Sequence, residues 1–394
     1  MIKSIVLAES VPIKFWLDVA TIDEGALEQA KNLANLPFVF KHIAIMPDAH
    51  QGYGMPIGGV MATRHAIIPN AVGVDIGCGM CAVKASLTEL DTETLKKILG
   101  EIRRVIPVGF NKHEEEQDES LMPYEAEGVS YVLEIVDREY GNAMQSLGTL
   151  GGGNHFIEVQ RGSDGYIWLM VHSGSRNLGK RVADHYNKIA VHLNERWFSQ
   201  VPKKWGLAFL PRDSEEGMAY LREMGYCVDF ALANRQVMMD RIQTAVNLVT
   251  EQDIIYDEAI NIAHNYASLE NHFGQNVYVH RKGATQARVG QLGIIPGSQG
   301  TKSYIVAGLG NPQTFKSCSH GAGRIMGRRQ AQRELNLEEE VKRLDDKGII
   351  HSIRGIGDLD EASGAYKPIE EVMANQTDLV KIMVELEPLA VIKG

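Results

Sequence analysis

Short apolar runs that stop at polar or glycine-rich turns recur along this chain. Ile43 to Met46 runs into Pro47-Asp48-Ala49-His50, and Tyr166 to Val171 runs into His172-Ser173-Gly174-Ser175-Arg176. Runs of this length bounded by turn-forming residues predict strands that present polar groups on loops. Between them the spacing predicts helices. Leu95, Ile98, Leu99 and Ile102 fall on one face over Thr94 to Ile106, where Pro107 ends the run, and Met238, Ile242, Ala245 and Val249 mark a second helix. Helices are interpolated among strands rather than alternating strictly with them, so the expected fold class is α+β. No internal repeat is visible, and no linker divides the chain.

Composition adds limits. The 394 residues, 44% hydrophobic and 23% charged, supply ample material for a buried core. The opening Met1-Ile2-Lys3-Ser4-Ile5-Val6 reaches Glu9 before a long apolar stretch develops, and later runs such as Ile167 to Val171 are strand-sized. A soluble, cytoplasmic protein with no membrane partner is expected. Four cysteines, Cys78, Cys81, Cys227 and Cys318, are too few for a disulfide framework in so long a chain and read as thiols or metal ligands. A net charge of -10 argues against a broad nucleic-acid-coating surface, while leaving room for a local basic groove. The acidic stretch from Glu114 to Glu119 reads as a solvated loop or a fence along a substrate groove.

The chemistry-bearing residues cluster at the ends of the apolar runs. Asp75, Cys78, His155, His172 and His264 each sit beside Gly, Ser or Asn, and His320 lies between Ser319 and Gly321. The pattern suggests a metal centre with one histidine left over for chemistry. A hard oxygen and a soft sulfur in Val74-Asp75-Ile76-Gly77-Cys78-Gly79 favour manganese, zinc or iron over calcium. The plainer alternative is a turn carboxylate and a core thiol. Cys78 and Cys81 form a CxxC pair, but a zinc ribbon needs a second pair and a redox site needs a βαβ pattern; neither is present. Gly151-Gly152-Gly153-Asn154-His155-Phe156-Ile157-Glu158 reads as a hairpin turn or as an anion-approaching loop. His172 to Arg176 reads as a phosphate nest or as a strand end with a satisfied histidine. His264-Asn265-Tyr266 is expected near the end of a helix. Ile295 to Ser303 has an anion-loop composition without Walker spacing. In Cys318-Ser319-His320-Gly321-Ala322-Gly323-Arg324, small neighbours leave His320 accessible, and Arg324 with Arg328 is expected to share a helix face. A neutral imidazole there can attack phosphorus; otherwise this is a loop histidine with two solvated arginines.

Taken in order, Asp48-Ala49-His50-Gln51-Gly52-Tyr53-Gly54, Gly73 to Gly79, Gly153 to Glu158, His172 to Arg176, His264-Asn265-Tyr266, Pro296-Gly297-Ser298 and Ser319 to Arg324 resemble the successive motifs of the RtcB family of RNA-splicing ligases. The resemblance runs from Val11-Pro12 to Lys393-Gly394 and implies one catalytic domain over residues 1–394. Its α+β fold would have central mixed sheets, glycine-rich active-site loops and interpolated helices. It implies GTP-dependent joining of an RNA 2′,3′-cyclic phosphate or 3′-phosphate to a 5′-hydroxyl, with two Mn²⁺ ions. One ion would be held by Asp75, Cys78 and His155, the other by Cys78, His172 and His264. His320 would carry GMP covalently. Guanylate contacts would fall on Asn154, His155, Phe156, Ile157 and Glu158, on His264 and Asn265, on Pro296, Gly297, Ser298, Gln299 and Ser303, on His320, Gly321, Ala322 and Gly323, and on Lys393, whose tail would fold back onto the base.

By the same resemblance Arg176, Arg324 and Arg328 would meet RNA phosphate, and Asp48 would assist the incoming hydroxyl. The implied partners are broken RNAs, such as tRNA halves or damaged ribosomal RNA, with an archease-like activator as a further expectation. Cys81, Gln299 and Gly327 depart from the family pattern without removing a ligand. Two other functions fit parts of the pattern: a manganese phosphodiesterase that only opens cyclic phosphates, and a non-catalytic RNA-binding module.

Overall fold

The computed structural model describes residues 1–123 and 132–394. Two large sheets organise it, with helices packed around them, so the fold class is α+β as the pattern predicts. The first sheet has six strands in the order Ser4–Val6, Ile13–Phe15, Val39–Tyr53, Met55–Thr63, Gln275–Lys282 and Asn265–His272. It is mixed through one parallel pairing, Ile13–Phe15 against Val39–Tyr53. The second has seven strands in the order Ile260–Ala263, Gly79–Lys84, Ile167–Ser173, Phe156–Gly162, Val380–Lys393, Ser303–Gly308 and Leu292–Ile295. Every pairing in it is antiparallel.

Both expected helices form. Asp91 caps Thr92–Val105 by accepting from the backbone N–H groups of Glu93 and Thr94, and Leu95, Ile98, Leu99 and Ile102 are buried. They meet Met238, Ile242 and Ala245 of the 36-residue helix Glu215–Thr250 in one apolar cluster, which also takes in Val83, Val159 and Val171 from the seven-stranded sheet. No helix among the described residues is long and apolar enough to cross a membrane. The Glu114 to Glu119 stretch is largely exposed, as a solvated loop should be.

Three segments differ from the pattern-based expectation. Val39–Tyr53 does not stop at Pro47. From Ile45 to His50 it advances five residues while its partner moves only two, from Gly59 to Ile57, so Pro47, Asp48 and Ala49 bulge out of register. Proline fits such a bulge because no ladder donor is required of it, and Lys367 Nζ donates to the released carbonyls of Ala49 at 2.6 Å and Pro47 at 3.3 Å. His264 does not end a helix. The long helix stops at Thr250, and His264 falls between strands Ile260–Ala263 and Asn265–His272. The C-terminal segment, which its place at the end of the chain would by itself leave disordered, is an inner strand of the seven-stranded sheet, with Lys393 opposite Phe156.

A buried ionic network ties the far edge of the six-stranded sheet to the strand that delivers His320. Arg281, fully buried, donates to Glu270 Oε1 at 2.5 Å, to Ser317 Oγ at 2.9 Å and to the Phe315 carbonyl at 3.0 Å. Burial alone would raise the Glu270 carboxyl, but the Arg281 charge and hydrogen bonds from His272, Arg281 and Ser268 outweigh it and hold it well below its ordinary value. Arg281→Met leaves that carboxylate buried without its counter-charge. It should lower unfolding free energy by about 3–5 kcal/mol in chemical denaturation; a loss under about 1 kcal/mol would show the network to be dispensable.

Candidate active site

The seven-stranded sheet sets the geometry. Gly79 lies opposite Ala263 and Ser173, Met80 opposite His172, and Phe156 opposite both His172 and Lys393. Residues at or just beyond these positions, Cys78, His155, His172, His264 and Lys393, therefore gather at one end of five adjacent strands. The Asp75 to Cys78 turn is tight: the Cys78 N–H donates to the Asp75 carbonyl, and Gly77 at φ +78° lies where a Cβ would sit 2.8 Å from the Cys227 carbonyl oxygen.

Cys78 Sγ lies 3.4 Å from His155 Nε2 and 3.3 Å from His172 Nε2, and the donor atoms of the three residues all fall within 4.8 Å of one another. Asp75 Oδ2 is 3.4 Å from His155 Nε2. His172 Nδ1 donates to the Asn154 carbonyl at 3.0 Å, which turns the Nε2 lone pair toward the sulfur, as a ligating histidine requires. The His264 ring lies 5.3 Å from that of His172 and 4.9 Å from that of His320, bridging the cluster to the remaining histidine. Of the five expected ligands, Cys78, His155 and His172 converge directly. Asp75 joins through His155, and His264 joins through its ring contacts.

These donors fit a divalent transition metal. Burial lowers His172 well below the usual imidazole range, reinforced by the neighbouring His155; His264 is lowered likewise by burial and by His320. Both are therefore neutral, as ligands must be. Burial pushes the Cys78 thiol well up, and the Asp75 charge pushes it further, the direction that a cation at the sulfur reverses. Asp75 keeps 42% of its side chain exposed, and the desolvation it suffers is outweighed by the His155 hydrogen bond and charge, so its carboxyl stays below its ordinary value. The Nδ1 atoms of His155 and His264 are buried without a hydrogen-bond partner among the described residues. Cys81 takes no part. It is buried in the apolar cluster behind the sheet, its thiol pushed up to about 12 by burial, so the CxxC spacing is incidental.

Beside the cluster opens a cavity of about 670 Å³. Asn154, Phe156, Glu158, Pro296, Gly297, Ser298, Gln299, His320, Gly321, Ala322, Gly323, Arg324, Arg328 and Lys393 line it. Ile157 does not, because strand alternation turns it into the core between Phe156 and Glu158. Ser303 lies behind the wall, accepting from the Gly297 N–H at 3.2 Å and from Gln160 at 3.2 Å. Asn265 is likewise a brace: its amide donates to the Asp75 carbonyl at 3.1 Å and accepts from the Gly283 N–H at 2.7 Å. Arg176 is held on the metal side, donating to Thr149 Oγ1 and the Gly109 carbonyl, both at 2.8 Å.

His320 follows the short strand Ser317–Ser319. Its Nδ1 lies 2.6 Å from Asp48 Oδ2, and the same oxygen accepts the His320 backbone N–H at 3.0 Å and that of Gly321 at 3.3 Å. Asp48 is fully buried, delivered by the bulge in Val39–Tyr53, and its Oδ1 has no partner among the described residues. Its nearest relation is thus with His320. Arg324 and Arg328 do not share a helix face. Arg324 lies in an isolated bridge with Tyr366, Arg328 begins the helix Arg328–Glu334, and the two meet at Glu361.

Sequence reasoning missed the helix residues that brace this centre from behind. Asn234 Oδ1 accepts from the N–H groups of Gly148 and Thr149. Arg235, fully buried, donates at 2.9 Å to the Gly77 and Ser173 carbonyls and at 2.8 Å to Asn261 Oδ1. The signal was an arginine and an asparagine on the apolar side of a helix.

The family profile described as "tRNA-splicing ligase RtcB" matches residues 29–394. The chain belongs to the RtcB family. It is 38% identical to the "RNA-splicing ligase RtcB" of Escherichia coli K12, with 98% of each chain covered. It is 32% identical to the "tRNA-splicing ligase RtcB" of Thermococcus kodakarensis over 98% of this chain and 95% of that one. It is 34% identical to the "RNA-splicing ligase RtcB" of Mycobacterium bovis over 93% and 100%. Family membership across almost the whole chain accords with a site assembled from every third of it, Asp48 to Lys393.

Co²⁺ gives a direct test of the donor set in this RtcB-family chain. Titration should produce a thiolate-to-cobalt absorption band that Cys78→Ala abolishes. Arg235→Met, which touches no donor atom, should weaken binding by about 10–100-fold by loosening the Gly77 and Ser173 backbone. A band that survives Cys78→Ala would remove the sulfur from the centre.

Proposed function

We propose that this protein is a GTP- and manganese-dependent RNA ligase that joins a 2′,3′-cyclic phosphate or 3′-phosphate end to a 5′-hydroxyl end, with residues 1–394 acting as one catalytic domain. The observation that carries the reading is His320, held by a buried carboxylate at 2.6 Å, in a cavity wall next to the cluster of sulfur and imidazole donors. Asp75, Cys78 and His155 would hold one ion and Cys78, His172 and His264 the other. Bound there, the cations supply charge neutralisation at the reacting phosphates.

The chain's own groups account for the rest. With Nδ1–H donated to Asp48, the His320 Nε2 lone pair is available to attack the α-phosphorus of GTP; an N–P bond forms, the bond to the bridging oxygen breaks, and pyrophosphate leaves. Asp48 therefore sets the tautomer and stabilises the imidazolium that develops, a positioning role in place of direct help to the hydroxyl. An RNA 3′-phosphate oxygen then attacks the GMP phosphorus and frees His320, the cyclic form having first been opened by hydrolysis. Finally the 5′-hydroxyl attacks the RNA 3′-phosphate and GMP departs. Positioning and charge complementarity dominate such phosphoryl transfers. Broken RNAs with single-stranded or looped ends are the substrates that suit a recessed centre, since the reacting atoms must be splayed into it.

Glu158 and Lys393 close the base end. Glu158 is buried, and its amide neighbour Gln160 donates to it at 2.6 Å. Lys393 Nζ sits 5.7 Å above the Phe156 ring. A carboxylate here matches the N1–H and exocyclic amine of guanine, which gives the preference for GTP over ATP.

Two measurements test the reading. Mass spectrometry after incubation with GTP and Mn²⁺ should find GMP on His320. His320→Ala should lose the adduct and lower joining of a cyclic-phosphate RNA to a 5′-hydroxyl RNA by roughly 10⁶-fold. A phosphodiesterase that never ligates would instead keep ring opening in that variant and need no guanine nucleotide.

The second is a pH profile. Burial pushes Glu158 up to about 8, against the opposing Lys393 charge and the Gln160 hydrogen bond, so the nucleotide-free carboxyl is largely protonated at neutral pH. Guanine needs the ionised form. Affinity for GMP should rise with pH, approaching about tenfold per unit below pH 8, and level off above it, while Glu158→Gln should bind weakly with a flat profile. A wild-type profile that is flat between pH 6 and 8.5 would exclude Glu158 from base recognition.

A further inference from the structure

We infer that Glu361 is a positioning residue that holds Arg328 as a prepared clamp for the RNA 3′-phosphate, and that Arg324 braces Glu361 rather than touching RNA. This rests on the proposed ligase reading of the cavity. Glu361 lies in the cavity wall with only 2% of its surface exposed, at the end of the short 3₁₀ segment Ile356–Glu361. An unpaired buried carboxylate is costly, and this one sits between two guanidinium groups.

The two arginines are not equivalent. Arg324 is spent on protein contacts: Nε donates to the Met326 carbonyl at 2.9 Å, one terminal nitrogen to Glu361 Oε2 at 2.9 Å and to Tyr366 Oη at 3.3 Å, and the other to the Asp360 carbonyl. Tyr366 also donates to Glu361 Oε2. The Arg324 side chain keeps 16% of its surface exposed. Arg328 is 53% exposed and lies beside Glu361, with Nε 2.9 Å from Oε1, an ion pair without hydrogen-bond alignment. Both of its terminal nitrogens are without a hydrogen-bond partner among the described residues.

That fork lies against the glycine loop before His155. Gly153 has φ +74°, and a Cβ there would fall 2.6 Å from one terminal nitrogen of Arg328 and 3.1 Å from the other. A side chain at this left-handed position would push the guanidinium aside. A planar fork with two free N–H edges suits a dianionic terminal phosphate, and pinning it at Nε removes much of the rotamer freedom that binding would otherwise cost. The backbone carbonyl of Glu361 accepts Gln299 Nε2 at 2.9 Å, linking the clamp to the loop expected to hold the nucleotide.

The test is a double-mutant cycle on the full chain. GTP-free protein binds a short fluorescent RNA ending in 3′-phosphate or in 3′-hydroxyl, read by anisotropy, with melting temperature, GMP loading on His320 and the KM and kcat of joining measured alongside. Glu361→Gln should reduce the preference for 3′-phosphate by about tenfold and raise KM for RNA more than it lowers kcat, with GMP loading falling by less. Arg328→Ala should lose the preference altogether, and the double variant should be no worse than Arg328→Ala alone. Glu361→Asp, which keeps the charge, should restore part of the preference. If Glu361→Gln does not fold, Arg328→Lys keeps a charge without a fork and should lose the preference on its own. Additive losses in the double variant, equal losses in GMP loading and RNA binding, or an unchanged 3′-phosphate preference in Arg328→Lys would each overturn the inference. Wild-type protein that neither loads GMP nor joins RNA would instead sink the ligase reading beneath it.

Discussion

The centre depends on the register of antiparallel strands in one sheet. Met80 opposite His172, Phe156 opposite His172 and Lys393, and Gly79 opposite Ala263 fix which residues emerge together at the strand ends. Side chains alternate with a period of two, so a slip of one residue would turn His172 into the apolar cluster that Val171 occupies and would exchange Glu158 for Ile157 at the cavity. The cluster behind the sheet, with Val83, Val159, Val171 and Ile242 all buried, opposes that slip with many contacts. Packing behind the sheet therefore specifies the chemistry in front of it.

Register alone does not aim the groups. His172 is turned by the Asn154 carbonyl, the Asp75 turn is braced by Asn265, and the backbone on either side of Cys78 is held by Arg235. Each brace uses a polar group that burial would otherwise penalise, and each satisfies a main-chain carbonyl that a non-ladder turn leaves open. The same economy appears at Asp48. A bulge frees the carbonyls of Pro47 and Ala49, Lys367 takes them, and the carboxylate is left to face His320.

How much of this was legible depends on how local the cause is. The helix Thr92–Val105 could be read from Asp91, from four apolar residues on one face and from Pro107, because capping and periodicity act within a few residues. The candidate donors Asp75, Cys78, His155 and His172 could be read from their place at run ends. Family motifs added what no local rule reaches, including the return of the C-terminal strand. Misreadings fell where tertiary pairing overrides local signals. Pro47 looked like a strand end but sits in a bulge made possible by Lys367, distant in sequence, and His264 looked helical but joins two strands. Arg324 and Arg328 satisfied i,i+4 spacing, yet one lies in a bridge with Tyr366 and the other opens a helix, and they meet only at Glu361. Arg235 was invisible, since its partners come from three separate segments.

The overall charge gives the last constraint. A chain of net charge -10 gains little from counterion release over its surface as a whole. The cations near the cavity are placed individually: Arg324 is largely buried against Glu361, Arg328 is half-exposed beside the same carboxylate, and Arg176 is held on the metal side by Thr149 and Gly109. Under the ligase reading, attraction for RNA at the cavity is confined to a recess that a chain terminus or a splayed loop would enter. Under the ligase reading, that confinement favours broken ends over the much larger pool of unbroken strands. It works by withholding affinity from the rest of the surface, so discrimination comes from what cannot reach the centre as much as from what binds there.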